Sequence, residues 1–553
     1  DWIIMLSDYH REQLLLCSTQ NEAERRLRSV APRSVVRQIW KELHDLETRP
    51  HKANRAAPSS EQAELPGVAP AAPDEAPKPV AGGSITSPDQ QRRRLAGTRF
   101  VFTSAQNNTH VHTDFWNALN TFASRNNADL YVSRFSYNKS GWGQPTVEDE
   151  DIWYDPAIQS YVLDEQVKVA NDLVFCGELD ILPTAATPLQ TLQNYTGPNS
   201  GIVPHAKVHM QSQATMKHDP AKFMYTTGTC TMRNYIERKA GQVATFHHTF
   251  GALYVEVAED GTWFARQLIA SDNGVFFHLG TAYGPGWSAP AADFGDTGVT
   301  LGDIHIEQID MDALSSALAI LNELQPKYVT IHDLIDFQPR NHHNIKDPYF
   351  RVWEHWNGID KVEQVFFRAA RFLAGLQTKF PGTTFYVIRS NHDQAFERWL
   401  KDVSAATDAA NARYWHEANA IKLLGLEQGQ DKDIFVWAMQ DAADKRNFDL
   451  SRIVWVKEDQ SLVINDIEHG MHGHRGPNGA RGNPKAFRQM GRKANTGHTH
   501  SAGIIDGVWT AGVMAKLDMG YNTGPSSWSH SHIVTHPNGK RSILTTRGKE
   551  WKA

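Results

Sequence analysis

Cysteine is nearly absent: the 553 residues hold three, Cys17, Cys176 and Cys230. An odd number spaced far apart excludes a disulfide framework and a CxxC zinc site, and it fits a reducing, cytoplasmic setting. Any bound metal must therefore be held by nitrogen and oxygen ligands. No apolar run approaches the ~18 residues of a membrane span. The start, Asp1-Trp2-Ile3-Ile4-Met5, lacks the basic flank and apolar core of a signal peptide, so no membrane segment is expected. An excess of basic charge is missing too. With 56 Lys+Arg against 62 Asp+Glu the formal charge is −6, which excludes a surface coated for tight non-specific nucleic-acid binding and leaves room for a local basic patch. Between Trp40 and Phe100 there is no aromatic residue, and seven prolines fall between Pro58 and Pro88. Such a stretch cannot bury enough apolar surface to offset chain entropy, so residues 51–95 are expected to be an extended linker. What is abundant is histidine, at 26, the side chain that moves protons near neutral pH and binds metals as neutral imidazole.

Ahead of the linker, Val35, Val36, Ile39, Trp40, Leu43 and Leu46 recur at helical spacing after Ser34, a plausible N-cap. Residues 1–50 carry eight basic and eight acidic side chains, so the electrostatic footprint of a helix-turn-helix DNA reader is absent. The segment is expected to be a docking or oligomerisation element, and the protein a homo-oligomer. After the linker, residues 96–297 have an α/β pattern: strands at Phe100-Val101-Phe102 and Leu130-Tyr131-Val132, a helix around Phe115 to Phe122, a strand near Leu173 to Phe175, and a hairpin from Ala252 to Leu268 turning at Asp260-Gly261. The role of this domain is not legible. His110, His112, His247 and His248 lie in it; His110 and His112 come just after the first strand, where α/β folds keep sites, yet with no evident carboxylate partner they are expected in structural or rim positions.

The chemistry begins near residue 298. Val299-Thr300-Leu301-Gly302 runs into Asp303-Ile304-His305, and residues i and i+2 on a strand project to the same side, so Asp303 and His305 can touch one cation. A helix from about Met311 to Leu324 leads to a strand, Tyr328 to Ile331, followed by His332-Asp333-Leu334-Ile335-Asp336. A second helix, roughly Lys361 to Gln377, feeds Thr384 to Ile388 and then Ser390-Asn391-His392-Asp393. This is a βαβαβ unit with polar, metal-competent side chains at the carboxyl edge of a sheet, where open α/β sheets place their sites. Two further clusters follow, His469-Gly470-Met471-His472-Gly473-His474 and Thr496-Gly497-His498-Thr499-His500. Between them Arg475, Arg481, Lys485, Arg488, Arg492 and Lys493 occur with no acidic residue. That loop is either a phosphate-gripping patch or a solvated turn. A C-terminal hairpin turning at Asn538-Gly539 is expected to complete the second sheet of a sandwich.

Asp303, His305, Asp333, Asn391, His472, His498 and His500 form an all-N/O set. A central carboxylate in such a set can bridge two divalent ions ~3.5–4 Å apart that generate a hydroxide for in-line displacement at phosphorus. Imidazole mixed with carboxylate and amide oxygen suits Mn, Fe or Zn better than Ca or a pure Mg site.

These five clusters, in this order, resemble the motifs of the calcineurin-like metallophosphoesterase superfamily: Asp-x-His, Gly-Asp-x-x-Asp, Gly-Asn-His-Asp/Glu, a lone His, and Gly-His-x-His. The match spans about residues 298–553, with His332 and Ser390 standing where the family usually has glycine. The resemblance implies an α/β fold whose catalytic domain, 298–553, is an αββα sandwich. It implies that Asp303, His305 and His500 hold a first metal, that Asp333 bridges, and that Asn391, His472 and His498 hold the second. His469 and His474 compete with His472 for the fourth motif. His392 would be the acid that protonates the leaving oxygen, Asp393 its orienting neighbour, and Asp336 a supporting carboxylate. Phe337 stands where protein Ser/Thr phosphatases of this fold carry Arg, which argues against that class. The layout looks more like the SbcD-type DNA-repair nucleases and related phage-encoded DNases, including a bacteriophage early protein that degrades host DNA. The resemblance thus implies two divalent ions, Mn2+ first, with Mg2+, Fe or Zn as alternatives, and DNA as partner. Arg475, Arg481, Arg340, His342 and His343 are candidates to contact the substrate. A nucleotide or other small phosphoester is the alternative substrate, and a DNA-binding protein with a dead metal site is the third reading.

Overall fold

The computed structural model describes residues 92–137, 139, 152–341 and 344–553. The expected helical segment 1–50, nearly all of the linker, and His342 and His343 lie outside the described residues. By contacts the chain divides into Asp1–Arg92 and Arg93–Ala553. The expected linker end at residue 95 is slightly late. Arg93 O accepts the Lys168 N–H and the Leu95 N–H donates to Lys168 O, both at 2.9 Å, and Leu95 is buried in a core.

One sheet has six strands: β1 (Gly298–Thr300), β2 (Tyr328–Ile331), β3 (Thr384–Ile388), β4 (Ile453–Val456), β5 (Ser531–Thr535) and β6 (Arg541–Thr545). Their spatial order is β4-β3-β2-β1-β5-β6. The first four are mutually parallel, and β5 and β6 are antiparallel additions. Parallel neighbours require crossovers, which α1 (Met311–Leu324), α2 (Val362–Lys379) and α3 (Ile434–Arg446) supply. Asp310 caps α1 by accepting the N–H groups of Asp312 and Ala313. In α2 the positions Val365, Phe366, Ala369, Phe372, Leu373 and Leu376 are buried at helical spacing, which turns one face to the core. Phe366 meets Phe396, Tyr414 and Phe435 in an aromatic cluster that also takes in Phe337, just past the second motif.

The C-terminal hairpin corrects an expectation. It joins the motif-bearing sheet, with Val299 facing Val534 and Thr300 facing Ile533, and not the second one. The second sheet has ten strands, and its order crosses the expected border at 297/298: Val463–Ile464, Ile467–Glu468, Lys493–Thr496, Val508–Thr510, Gly503–Ile505, then Met210–Gln213, Lys222–Thr226, Ser200–Val203, Leu173–Cys176 and Gln166–Ala170. At the seam Ile504 pairs with Met210 and Gly503 with Gln211. Residues 96–297 and 298–553 are therefore one compact unit: the strand Gly503–Ile505 would otherwise present a bare edge, which Met210–Gln213 covers. The two large sheets are tied by Asn495, whose amide donates to Thr300 and Thr535, and by Arg541, which donates to Ala494 O, Asn495 Oδ1 and Gly507 O. Among the described residues no helix is long and apolar enough to cross a membrane.

Candidate metal centre

The strands stop short of their polar motifs. β1 ends at Thr300, β2 at Ile331 and β3 at Ile388, so Asp303, His305, Asp333 and Asn391 stand on the loops beyond. Strand Lys493–Thr496 likewise ends before His498 and His500. Strand alternation is thus not what brings each His pair or Asp-His pair together. The backbone turns left-handed at His305 (φ 45°), Asp333 (φ 43°), His498 (φ 73°) and His500 (φ 57°). That region costs a non-glycine residue of order 1 kcal/mol or more, and the loops that adopt it bring their side chains to one point.

His305 Nε2 and His500 Nε2 stand 3.0 Å apart. His500 Nε2 is 3.2 Å from Asp303 Oδ2, and His305 Nε2 is 3.4 Å from Asp333 Oδ2. Ligand atoms of Asp303, His305, Asp333 and His500 all lie within 4.8 Å of one another. His472 Nε2 approaches the same Asp333 oxygen at 3.3 Å and Asn391 Oδ1 at 3.1 Å, so Asp333 faces two groups of donors. His498 donates its backbone N–H to Asp303 Oδ2 at 2.7 Å, and its ring centroid lies 5.2 Å from that of His472.

A hydrogen bond behind the cluster orients His305. Asp336 Oδ1 lies 3.2 Å from His305 Nδ1; in the neutral imidazole that a metal requires, a proton held there would leave the Nε2 lone pair facing His500. Asp303 Oδ1, Asp333 Oδ1, His472 Nδ1 and His500 Nδ1 are buried without a hydrogen-bond partner. Buried carboxylate oxygens without partners are costly, and a cation among them removes the cost. The cluster can hold metal ions, and its donor types fit a divalent transition metal.

Charge inside the cluster is mutually supported. Burial opposes ionisation of Asp303, yet His500 and His472 hold it below the ordinary carboxylate range; at Asp333 the same burial is outweighed by His472, His392 and His305. Burial likewise opposes charge on His305, but Asp333 and Asp336 raise it well above 6.5. The same contest lifts His392 to about 9. His392 Nδ1 lies 3.0 Å from the Asp336 carbonyl oxygen and 3.3 Å from its Oδ1. Asp336 thus orients both His305 and His392. Asp393, expected to orient His392, instead accepts the Ile335 N–H at 3.4 Å, and burial together with Asp333 pushes it up to about 6.

No family model matches the chain. A solved structure superposes with a TM-score of only 0.25 at 9% identity, over 45% of this chain and 98% of its own. Over 488 residues the chain is 39% identical to Protein A1 of Escherichia phage T5, an alignment covering 84% of this chain and 85% of that protein. The chain belongs to the Protein A1 family. The unmatched share of the chain is shorter than residues 298–553, so the likeness to A1 extends into the stretch that carries the centre.

In this A1-family chain His472 is distinguished from its two competitors by position. His469 is buried beside Tyr328, ring centroids 5.6 Å apart, and burial pushes it to about 3; His474 Nε2 turns to Glu458 Oε2 at 3.4 Å. His332 and Ser390, which stand where the resembled metallophosphoesterase motifs have glycine, differ in what they do. Ser390 Oγ accepts the Asp393 N–H at 3.1 Å and closes the turn that carries Asn391 and His392. His332 is buried with both ring nitrogens unpaired, its ring 5.6 Å from that of His472, and burial lowers it to about 4; we have no physical account of why a histidine stands there.

The expected substrate contacts divide. Arg340 is buried: its Nε lies 2.6 Å from Asp408 Oδ2, its Nη2 2.7 Å from Asp408 Oδ1, and its Nη1 3.3 Å from Glu354 Oε2. These contacts engage its guanidinium inside the fold, between the helix that carries Glu354 and the loop that carries Asp408. Arg475 is exposed, with Gln394 Oε1 at 3.4 Å and Glu458 Oε1 at 3.8 Å. In the basic loop Arg488, Arg492 and Lys493 face Asp506, Glu468 and Asp466, whereas the exposed Arg481 and Lys485 have no ion pair recorded among the described residues. His110 and His112 serve structure, beside Asp155 Oδ2 at 3.1 Å and as acceptor of the Phe115 N–H at 3.2 Å.

Sequence reasoning missed three contributors. Glu307 accepts the N–H groups of Asp336 and Gln338 at 2.8 and 3.1 Å and so positions the second loop; its place two residues after His305 was the available signal. Gly497 lets its loop approach, since a Cβ there would stand 2.1 Å from Asp303 Oδ1. Trp528 packs edge-on against His500, ring centroids 4.3 Å apart, and nothing in the sequence pointed to it.

Proposed function

We propose that this chain is a metal-dependent DNA nuclease of the metallophosphoesterase type, built on an αββα sandwich and degrading host DNA in the host cytoplasm during phage infection. One observation supports it above the others: the Nε2 atoms of His305 and His500 converge to 3.0 Å beside buried carboxylate oxygens that lack hydrogen-bond partners. When bound, a pair of divalent cations, Mn2+ first among candidates, supplies charge neutralisation at the scissile phosphate and an activated water. Asp303, His305 and His500 would hold one ion, Asn391, His472 and His498 the other, with Asp333 between them.

The chain's own residues do the rest. His392 keeps Nδ1 on the Asp336 carbonyl oxygen, which leaves Nε2 to give a proton to the departing sugar oxygen as water adds at phosphorus. Asp336 fixes the imidazole that donates. Arg475, Arg481 and Lys485, exposed on the loop after His472, provide a local field for flanking phosphates in a chain of net negative charge. The two-sheet arrangement with helical crossovers suits the proposed sandwich, and Protein A1, a phage protein, supports the setting.

The test is incubation of purified protein with linear and circular DNA, with a model phosphodiester and with a dinucleoside polyphosphate, each with Mn2+, Mg2+ or EDTA. Metal-dependent DNA degradation is expected. Hydrolysis of the small esters with DNA left intact would reject the nuclease and favour a nucleotide phosphodiesterase.

A further inference from the structure

The nine-residue helix Pro348–Trp356 follows the loop that carries Asp333 and Asp336. Its polar inside and apolar outside reverse the usual arrangement. Glu354 is fully buried, while Tyr349 is 86% exposed, Trp356 80%, Val352 48% and Trp353 43%. Positions 349, 352, 353 and 356 lie at i, i+3, i+4 and i+7, so these side chains form one stripe along a single face. Contiguous exposed aromatic surface of this kind marks a place of contact.

The helix is fixed rather than loose. Asp347 Oδ1 accepts the N–H groups of Tyr349 and Phe350 at 2.9 and 3.2 Å, capping the first turn. From beneath, Glu354 faces Arg340, and Arg340 is clamped on Asp408. His355 Nδ1 is held by Asp360 Oδ2 at 2.9 Å. Since Arg340 stands four residues after Asp336, the clamp ties the aromatic stripe to the loop at the metal centre. Along residues 346–361 the charged side chains that are exposed are Lys346, Arg351 and Lys361 and one acid, Asp347, whose carboxylate is engaged in the cap.

We propose that this stripe is a stacking platform for unpaired bases of a nucleic-acid strand whose backbone leads to the metal centre. The inference rests on the nuclease reading and names the form of its substrate. Three of the four exposed side chains offer π-faces, on which any base stacks without sequence preference, and the interspersed cations match a polyanionic backbone. A second copy of the chain fits less well. A two-fold contact through the helix would bring Lys346 and Arg351 close to their own counterparts, with little exposed acid to answer them.

The experiment measures binding of a fluorescent oligothymidylate to the full chain in EDTA, so that cleavage plays no part, alongside hydrolysis of a model phosphodiester in Mn2+. Tyr349→Ala/Trp356→Ala is expected to weaken oligonucleotide binding about tenfold or more and to leave small-ester hydrolysis unchanged. Tyr349→Phe/Trp356→Phe should restore binding. Equal binding by the alanine variant and the wild type overturns the platform while wild-type DNA cleavage keeps the nuclease reading. Unchanged binding with a drop in oligomer size on sedimentation also overturns it, because the stripe would then join copies of the chain. A wild type that hydrolyses the ester and binds no oligonucleotide removes the nuclease reading, and the platform with it.

Discussion

Replacing Gly497 by alanine isolates the close approach on which the centre depends. A Cβ there would stand 2.1 Å from Asp303 Oδ1, 3.1 Å from its Cγ and 3.2 Å from His332 Cβ. Relaxed contact needs about 3.5 Å, so the carboxylate or the loop must retreat by about 1.4 Å. Neither is loose. Asp303 Oδ2 is held by the His498 N–H at 2.7 Å, and the Asp303 backbone N–H donates to Gly512 O at 3.0 Å. Overpacking of this kind costs ~1–3 kcal/mol, and a displacement of about 1.4 Å exceeds the ~0.5 Å within which a ligand set must be held. Gly497→Ala is therefore expected to fold with a lowered melting temperature and to lose metal affinity. Elemental analysis after dialysis and calorimetric titration with MnCl2 read the second effect, thermal unfolding the first. Gly280→Ala, where nothing lies within 4 Å of the new atom, is the matched control. Full metal occupancy with an unchanged melting temperature would refute the idea that this contact sets the position of Asp303.

Three other outcomes follow from particular contacts. Asp336→Asn replaces the charged partner of His305 Nδ1 and of His392, and a loss of supporting carboxylate is expected to lower metal affinity about 10- to 100-fold; unchanged affinity on titration of the stripped variant would remove Asp336 from that role. Arg340 is one cation between two carboxylates: Asp408 takes the bidentate contact and stays ionised, and burial leaves Glu354 raised from 4.5 to about 8. A raised acid contributes stability that is full below pH 4.5 and is lost as pH rises through about 8. Each pKa unit is worth about 1.4 kcal/mol, so Glu354→Gln should gain on the wild type in denaturant unfolding between pH 5 and pH 9, by an amount of order several kcal/mol; parallel pH profiles would contradict this. Gly375 lies inside α2 with open space around its missing Cβ, so Gly375→Ala should stabilise by ~0.5–1 kcal/mol, and a destabilised variant in denaturant melts would show that the helix is not regular there.

The elements that bear the motifs were legible because each combines an apolar run with an end signal. Thr384–Ile388 was readable to the residue, and α1 and α2 to within about two, since their buried positions repeat at helical spacing. What the sequence hid was non-local. Ile504 and Met210 are neighbours across a sheet although nearly three hundred residues separate them, and no periodicity encodes which edges meet. The same holds at the centre. The ligand types were visible, but the left-handed turns at His305, Asp333, His498 and His500 belong to Asp and His, which enter that region more readily than most side chains yet far less often than glycine, so the sequence did not say which of them would turn. Arg340 shows the opposite error: a basic residue beside a motif suggested substrate contact, whereas its two carboxylate partners, Glu354 and Asp408, come from later segments.

Those left-handed ligands also explain why residues 96–297 matter to a centre to which none of their described residues gives a ligand. Four strained positions together cost several kcal/mol by the usual ~1–3 each, and they persist only where the surroundings over-determine them. For His498 and His500 the surroundings begin with strand Lys493–Thr496, whose sheet runs through Val508–Thr510 and Gly503–Ile505 into Met210–Gln213. The core beneath that sheet joins Ile504 and Trp509 to Phe102, Phe175, Phe223 and Tyr225. Without the earlier residues, Gly503–Ile505 would be an open edge over a core stripped of those aromatics. The loop it anchors would then be free to relax out of the turn that brings His500 to His305. In this view the first half of the compact unit is the brace of the second, and its contribution to metal binding is the rigidity of strand Lys493–Thr496.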